Sequence, residues 1–256
     1  MERKYKLTDE TKEINGCTLH RIVAVRDFAD VKAGDKGGWI EHEGNLNHNG
    51  DCWVYDYAKV FGNARLNESA RAYCNVMVYG NAMVAARARA LGNAEIYDSA
   101  RVYDDAIISD STRVYGDARL HGRAKVYGTA NVFGNAEVYD NAMVFGYAEV
   151  YEYADVYGNA VVCGNARVCY EGRVRGDAVI LGNAIIRSIK DYIVFKNWWS
   201  SGRYFTWTRS NNKWKVGCFY GSGEELIRKA YADSKQSGRE YERIVKYVEQ
   251  ILKEKE

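Results

Sequence analysis

Basic and aromatic side chains alternate near the C-terminal end of this 256-residue sequence. Between residues 187 and 216 there are seven Lys or Arg against one Asp or Glu, together with four of the six tryptophans. Such a mixture is typical of surfaces that bind nucleotides or single-stranded nucleic acid. The candidate ligand-binding residues are Lys196, Trp198, Trp199, Arg203, Tyr204, Arg209 and Lys215.

The same segment also fits a small sheet whose aromatic face packs against helices. On that interpretation Phe205, Trp207 and Trp214 form a small core instead of a binding surface. Trp198 and Trp199 are adjacent, and neighbouring residues of a strand point to opposite faces. One of these two tryptophans is therefore expected at the surface or at an interface.

The composition excludes several other classes of protein. A formal net charge of +2 provides no overall field for duplex nucleic acid. The six cysteines lack CxxC spacing and are interpreted as reduced structural thiols, so we predict no metal and no cofactor. The charged start has no apolar signal segment, and no run approaches about 18 apolar residues. We expect a cytoplasmic protein with no membrane partner.

A six-residue repeat dominates the middle of the chain. From Val54 to Ile186 position 1 recurs 23 times and is Val, Ile or Leu in 21 of them. Position 5 is Ala in 19 of 22 repeats, and position 3 is Gly in 12 and Asp in five. Nothing is inserted or deleted across these 132 residues. Proline, which cannot donate within a central strand, is absent from the whole chain.

The offset of two between Ala and the next aliphatic residue sends both side chains to the same side of a strand. Gly or Asp at position 3 tolerates the positive φ of a corner. Three such sides close a coil of 18 residues. The sequence therefore predicts an all-β solenoid, a parallel β-helix of about seven coils.

Residues 18 apart should stack above one another. One face would carry six aromatic rings in an unbroken ladder: Phe61, Tyr79, Tyr97, Tyr115, Phe133 and Tyr151. Stacking within the subunit and an oligomer interface both fit this ladder, and both interpretations remain open. A second face would carry a shorter ladder of Tyr103, His121, Tyr139 and Tyr157, beside a row with Arg65, Arg101, Arg119 and Arg173. On the third face Tyr55 and Tyr73 are followed by a break at Leu91 and Ser109.

The flanks lack the repeat and define three predicted domains. Residues 1–53 are assigned to an N-terminal capping segment, because an open β-helix end is an aggregation-prone edge. Residues 54–186 form the β-helix. Residues 187–256 are predicted to form a small α+β domain of three strands and two helices.

The hexads resemble the left-handed hexapeptide-repeat β-helix, which implies a left-handed coil and a homotrimer. The segments KYKLTDE, GCTLHRI, VKAGDKGGWIE and WKVGCFYGSGEELI, with the VYGNA hexads, resemble a family of phage- and prophage-encoded hexapeptide-repeat proteins. This resemblance covers essentially the whole chain. It implies a phage origin and a bacterial host cell, and it does not imply any particular activity.

Hexapeptide β-helices are best known in acyltransferases, whose sites resemble one another in having a histidine base and an enclosing loop. Of four histidines only His121 lies in the repeat, and no loop interrupts any hexad. The sequence shows neither a positioned partner for His121 nor a water-excluding pocket. We therefore identify no catalytic residue and favour a protein that is not an enzyme.

Three hypotheses about function remain. The first is a non-enzymatic phage accessory protein that binds a small ligand, such as a nucleotide-derived host immune signal, or a host protein, and so serves immune evasion. The second is a structural spacer or adaptor of a virion or assembly. The third is a hexapeptide-repeat acyltransferase.

Overall fold

The computed structural model describes residues 3–253. The chain begins with β1 (Tyr5–Ile14), β2 (Cys17–Ala24) and β3 (Lys36–Ile40), followed by a single 3-10 turn at Glu43–Asn45. The 23 strands that follow have two residues each. They are β4 (Trp53–Val54), β5 (Lys59–Val60), β6 (Arg65–Leu66), β7 (Arg71–Ala72), β8 (Met77–Val78), β9 (Met83–Val84), β10 (Arg89–Ala90), β11 (Glu95–Ile96), β12 (Arg101–Val102), β13 (Ile107–Ile108), β14 (Arg113–Val114), β15 (Arg119–Leu120), β16 (Lys125–Val126), β17 (Asn131–Val132), β18 (Glu137–Val138), β19 (Met143–Val144), β20 (Glu149–Val150), β21 (Asp155–Val156), β22 (Val161–Val162), β23 (Arg167–Val168), β24 (Arg173–Val174), β25 (Val179–Ile180) and β26 (Ile185–Ile186).

These strands stack into three parallel sheets, which confirms the predicted parallel β-solenoid. Face A contains β3, β5, β8, β11, β14, β17, β20, β23 and β26; face B contains β6, β9, β12, β15, β18, β21 and β24; face C contains β4, β7, β10, β13, β16, β19, β22 and β25. Each coil bonds to the next through its backbone. For example, the Arg101 N–H donates to the Ala118 carbonyl at 2.9 Å.

The corners explain the residues at position 3 of the hexad. All 22 position-3 residues from Asp56 to Gly182 have φ between 52° and 76°. Glycine adopts this left-handed region without a steric penalty. Aspartate adds a second advantage, because its carboxylate accepts from the corner N–H one coil above. The Asp110 Oδ2 atom, for instance, lies 2.8 Å from the Gly128 nitrogen.

Small and branched side chains fill the interior of the prism. The inward Ala and Val residues of the hexads are almost completely buried, as at Ala118 and Val126. Thr112 occupies one inward position and is also buried, with its hydroxyl donating to the Ser109 carbonyl at 2.7 Å. These side chains fill the narrow interior of the solenoid, so a binding surface must lie on its outer faces.

The stacked coils begin earlier than residue 54. Ile40 pairs with Val60 and Leu46 with Leu66, so about eight turns are present, where the hexads predicted about seven. Both pairs are separated by 20 residues because Leu46 and Val54 are eight apart instead of six. The two extra residues broke the repeat that defined the predicted boundary.

The N-terminal hairpin covers the start of the solenoid. Strand β2 pairs antiparallel with β1 and β3, and Leu19 packs with Trp39 and Phe61 over the lower end of face A. Below the first coil the buried Lys4 ammonium donates to the Cys52 carbonyl at 2.8 Å and the Gly50 carbonyl at 3.1 Å. These bonds occupy backbone groups that no further coil covers.

The C-terminal domain has an antiparallel sheet and two helices. Its strands are β27 (Tyr192–Lys196), β28 (Tyr204–Thr208), β29 (Lys213–Val216) and β30 (Phe219–Gly221), and its helices are α1 (Gly223–Asp233) and α2 (Lys235–Lys253). A second 3-10 turn, Ile189–Asp191, precedes β27. Four strands replace the three predicted, because the short segment β30 pairs with β29.

This domain closes the other end of the solenoid. The Val179 N–H donates to Thr206 Oγ1 at 3.0 Å, and the Ile185 N–H donates to Ser210 Oγ at 2.7 Å. Both donors belong to the last coil. Within residues 3–253, no helix combines the length and the apolar character needed to cross a membrane.

Candidate functional site

The aromatic residues of the C-terminal segment mainly form a core. Phe205, Trp207 and Trp214 are buried against α1 and α2, as the alternative interpretation of this segment predicted. Trp199 packs edge-on against Tyr241 with ring centroids 4.9 Å apart. Trp198 is 72 % exposed, so the adjacent tryptophans do take opposite environments.

The contacts divide the seven predicted ligand-binding residues among different parts of this domain. Lys196 lies 5.7 Å above the Tyr204 ring, and Tyr204 lines a cavity of about 680 Å³ beside the last coils. Lys215 donates to the Gly217 carbonyl within its own turn. Arg203 and Arg209 are exposed on turns that flank β28. The structure brings Lys196 and Tyr204 together, and it does not gather the set around one cavity.

The six rings of the face A ladder stack with nearly parallel planes. Their centroid separations run from 4.9 to 5.1 Å, and the interplanar angles do not exceed 6°. Phe61 is only 5 % exposed because the N-terminal hairpin covers it. The other five rings are half-buried. Tyr79, Tyr97, Tyr115 and Phe133 have both ring faces against neighbouring rings, whereas Tyr151 ends the ladder and stacks only on Phe133. Only the edges of these four inner rings are available to a partner.

Face B carries a second ladder that stops abruptly. Tyr103, His121, Tyr139 and Tyr157 stack at 4.9 to 5.1 Å. One coil below Tyr103 the same position holds Ala85, which has no ring. One ring face of Tyr103 is therefore open, and it lines a cavity of about 400 Å³ that we call the face B cavity. Its lining residues are Glu68, Met83, Ala85, Ala86, Arg101, Tyr103, Asp104 and Arg119.

Two guanidinium groups beside this cavity have no carboxylate partner among the residues that the structure describes. Arg101 and Arg119 are neighbours on adjacent strands, in the column next to Tyr103. No carboxylate of residues 3–253 lies within 4.0 Å of either one. Higher on the same face, by contrast, Arg173 pairs with Asp155 at 3.3 Å. Unpaired arginines can bind an anionic group in a bidentate manner.

His121 lies between two carboxylates, so the structure shows a neighbouring partner that the sequence did not reveal. Its Nε2 atom lies 3.0 Å from Glu137 Oε1, and its Nδ1 atom lies 3.9 Å from Asp104 Oδ2. Tyr103 and Tyr139 cover its two ring faces. Both ring nitrogens thus face protein carboxylates, which fits a structural histidine better than a general base that must accept a proton from substrate.

Burial raises the pKa of the Tyr103 phenol, so this ring is neutral in the ordinary range of pH. Within the described part of the chain, no group of three His, Cys, Asp or Glu side chains is placed to hold a metal ion. The six cysteines are free thiols. The face B cavity therefore offers a flat aromatic surface, two guanidinium groups and the carboxylates of Glu68 and Asp104.

Comparison with known proteins supports the repeat architecture. Residues 100–116, which include Arg101, Tyr103 and Asp104, match the YdcK beta-solenoid repeat family. A relative from Escherichia coli (strain K12), named uncharacterized acetyltransferase YdcK, is 41 % identical over 71 residues. The alignment covers 24 % of this chain and only 22 % of YdcK. The similarity is therefore to a repeat β-helix protein over part of its length.

Proposed function

We propose that this chain is a non-enzymatic binding protein that holds a small anionic ligand with a planar ring, of the nucleotide class, in the face B cavity. The observation that carries the proposal is the open ring face of Tyr103 beside the unpaired Arg101 and Arg119. Stacking of a base on an aromatic side chain contributes about 1–3 kcal/mol. The two guanidinium groups supply the complementary charge for phosphate.

The solenoid favours such binding because it is already ordered. The cavity is built on β9, β12 and β15, whose backbones are bonded to the coils above and below. A ligand that stacks on Tyr103 continues the existing column of Tyr103, His121 and Tyr139. Little conformational entropy is lost on binding when the surface is rigid.

Calorimetric titration with 5′-AMP, ADP, ATP and inorganic phosphate tests the proposal. We expect nucleotides to bind and Arg101→Ala to weaken them at least tenfold. Arg113→Ala is the matched control, because Arg113 occupies the same hexad position on face A, away from the cavity. Affinity should also fall with added salt. Absence of binding to every nucleotide, or equal effects of the two substitutions, contradicts the proposal.

The finer parts of the proposal concern origin and assembly. We propose a phage-encoded accessory protein that acts as a homotrimer and sequesters a nucleotide-derived signal of the bacterial host, or a host protein, in the cytoplasm. The half-exposed ring edges of the face A ladder support an interface between subunits. Light scattering of the purified chain measures the assembly, and a monomer at micromolar concentration contradicts the trimer.

Acyl transfer is the second candidate, because YdcK is named an acetyltransferase and His121 has a carboxylate 3.0 Å away. It ranks lower, since Glu137 and Asp104 face both nitrogens of the imidazole. Release of free thiol from acetyl-CoA, tested with a panel of amine acceptors, measures this activity. Turnover that is lost in His121→Ala and Glu137→Gln supports it, and the absence of thiol release contradicts it.

A further inference from the structure

The cavity of about 680 Å³ that Tyr204 lines lies where the last coils of the solenoid meet the C-terminal domain. We call it the junction cavity. The solenoid contributes one wall, and β27, β28 and the 3-10 turn before β27 contribute the other. Its lining residues are Tyr157, Gly158, Arg175, Gly176, Asp177, Ile189, Tyr192, Ile193, Val194 and Tyr204. Boundaries between domains are a common place for ligand sites, whose cavities measure about 300–1,000 Å³.

A row of corner hydrogen bonds ends at the junction cavity. In the two coils below, the Asn141 N–H donates to the Gly158 carbonyl and the Asn159 N–H to the Gly176 carbonyl, each at 2.9 Å. Asp177 holds the next donor of this row. Face B ends at β24, and a Cβ added to Gly176 would meet nothing within 4 Å. No group of residues 3–253 accepts a hydrogen bond from the Asp177 N–H, so this donor is open to the cavity.

The guanidinium group of Arg175 is a second open donor in the same wall. Its side chain is exposed, and no carboxylate of the described residues lies within 4.0 Å of it. Its backbone N–H donates to the Tyr192 phenol at 3.2 Å, which holds this corner against β27. The Asp177 carboxylate accepts from the Asn159 side-chain amide of the coil below at 3.2 Å. Arg175 and the Asp177 N–H are therefore both available to one carboxylate, whose two oxygens can each accept a hydrogen bond.

The wall from the C-terminal domain presents apolar surface to the same space. Ile189 is 54 % exposed and Tyr204 is 45 % exposed, although both line the cavity. Val194 packs against the core of the solenoid, so the two walls are held together. Burial of the exposed apolar surface against an apolar ligand is favourable. The junction cavity thus combines an anion-binding wall with an apolar one.

We propose that the junction cavity binds an amphipathic carboxylate, with the carboxylate group on Arg175 and the Asp177 N–H and the apolar chain or ring against Ile189 and Tyr204. This site is separate from the proposed nucleotide site, because the junction cavity and the face B cavity share no lining residue. A small anion lacks the apolar part, and a neutral apolar molecule lacks the charge. Neither should bind as tightly as a molecule that has both.

Calorimetric titration of the full chain with octanoate and 4-phenylbutyrate tests the inference, with acetate and the neutral 4-phenylbutyramide as controls. We expect at least one of the two amphipathic carboxylates to bind at least tenfold more tightly than either control. Arg175→Gln should weaken that binding tenfold or more, and Ile189→Ser should weaken it at least threefold. Arg167→Gln is the matched control, because Arg167 is an exposed arginine of face A, away from the cavity, and it should have no effect.

The outcomes separate this site from the face B cavity. If neither amphipathic carboxylate binds, or if the neutral amide binds as tightly as they do, the inference is wrong. Equal effects of Arg175→Gln and Arg167→Gln also contradict it. Displacement of the bound carboxylate by excess 5′-AMP would contradict it as well, because a separate site predicts no competition. Arg175→Gln and Ile189→Ser change only exposed side chains, so the test does not depend on a substitution in the core.

Discussion

The rings of Tyr103 and His121 lie parallel, with centroids 4.9 Å apart, at the point where the face B ladder ends. The coil above continues with Tyr139, whereas the coil below has Ala85. A stacked column with one end open is a surface that a further planar ring can extend. The unpaired arginines lie next to this open end, so the aromatic and the charged parts of a nucleotide site coincide.

Substitution Ala85→Tyr should stabilise the fold while it removes the site. The new ring stacks under Tyr103 as His121 stacks above it, and such aromatic pairs contribute about 0.5–1.5 kcal/mol. We expect Ala85→Tyr to have a higher free energy of unfolding in urea than the unsubstituted protein. Ala85→Ser, which changes the same position without adding a ring, is the control. An Ala85→Tyr protein less stable than the Ala85→Ser protein would show that the position does not accept a ring.

Corner glycines should differ in cost according to what lies above them. At Gly176 (φ 64°) an added Cβ meets nothing within 4 Å, so Gly176→Ala should cost only the left-handed strain of about 1–2 kcal/mol. At Gly116 (φ 69°) the Cβ would lie 2.9 Å from the Gly134 nitrogen. Gly116→Ala should therefore cost more in denaturant unfolding. Equal losses would mean that the coils shift apart freely.

The carboxylate of Asp110 should stabilise the corner above it. Its Oδ2 atom accepts from the Gly128 N–H at 2.8 Å. Asp110→Ala leaves that N–H without its partner, at a cost of about 1 kcal/mol, whereas Asp110→Asn retains an acceptor and tolerates positive φ. Chemical unfolding of both variants measures the difference, and an Asn variant as unstable as the Ala variant would refute the role of the bond.

Stability should fall in alkaline solution because of the ladder tyrosines. Burial raises the pKa of Tyr79 and of Tyr139 to about 12, above the value of about 10 expected in the unfolded chain. The fold favours the neutral phenol, so this stabilisation is complete below pH 10 and is lost as the pH rises through about 12. Tyr79→Phe should flatten the decline of the melting temperature between pH 9.5 and 11.5. An unchanged slope in that variant contradicts the assignment.

Most of the fold follows from the spacing of a few residue types. Ala and Val two residues apart, with Gly or Asp at the corner, predict the coil and the stacking of residues 18 apart. The first coil was not predicted, because two extra residues between Leu46 and Val54 displace its pairs to a spacing of 20 residues. Strand β30 was not predicted, because its three residues are too few to show an alternating pattern.

Less of the candidate site than of the fold could be predicted from the sequence, although the spacing of its residues is present there. The columns place Arg101, Arg119 and Tyr103 together, and Ala85 falls in the same column as Tyr103. The density of tryptophan and basic residues directed the prediction to the C-terminal segment, where Phe205, Trp207 and Trp214 form the small core that the alternative interpretation of that segment predicted. The contact between His121 and Glu137 joins two adjacent columns one coil apart, which a rule based on stacking alone does not find.

A crystal structure of the protein with saturating 5′-AMP tests the central claim most directly. The account predicts an adenine ring parallel to the Tyr103 ring at stacking distance, in the level occupied by Ala85, with the phosphate within hydrogen-bonding distance of Arg101 or Arg119. Nucleotide bound elsewhere on the chain, or a face B cavity filled only by water under those conditions, would contradict it.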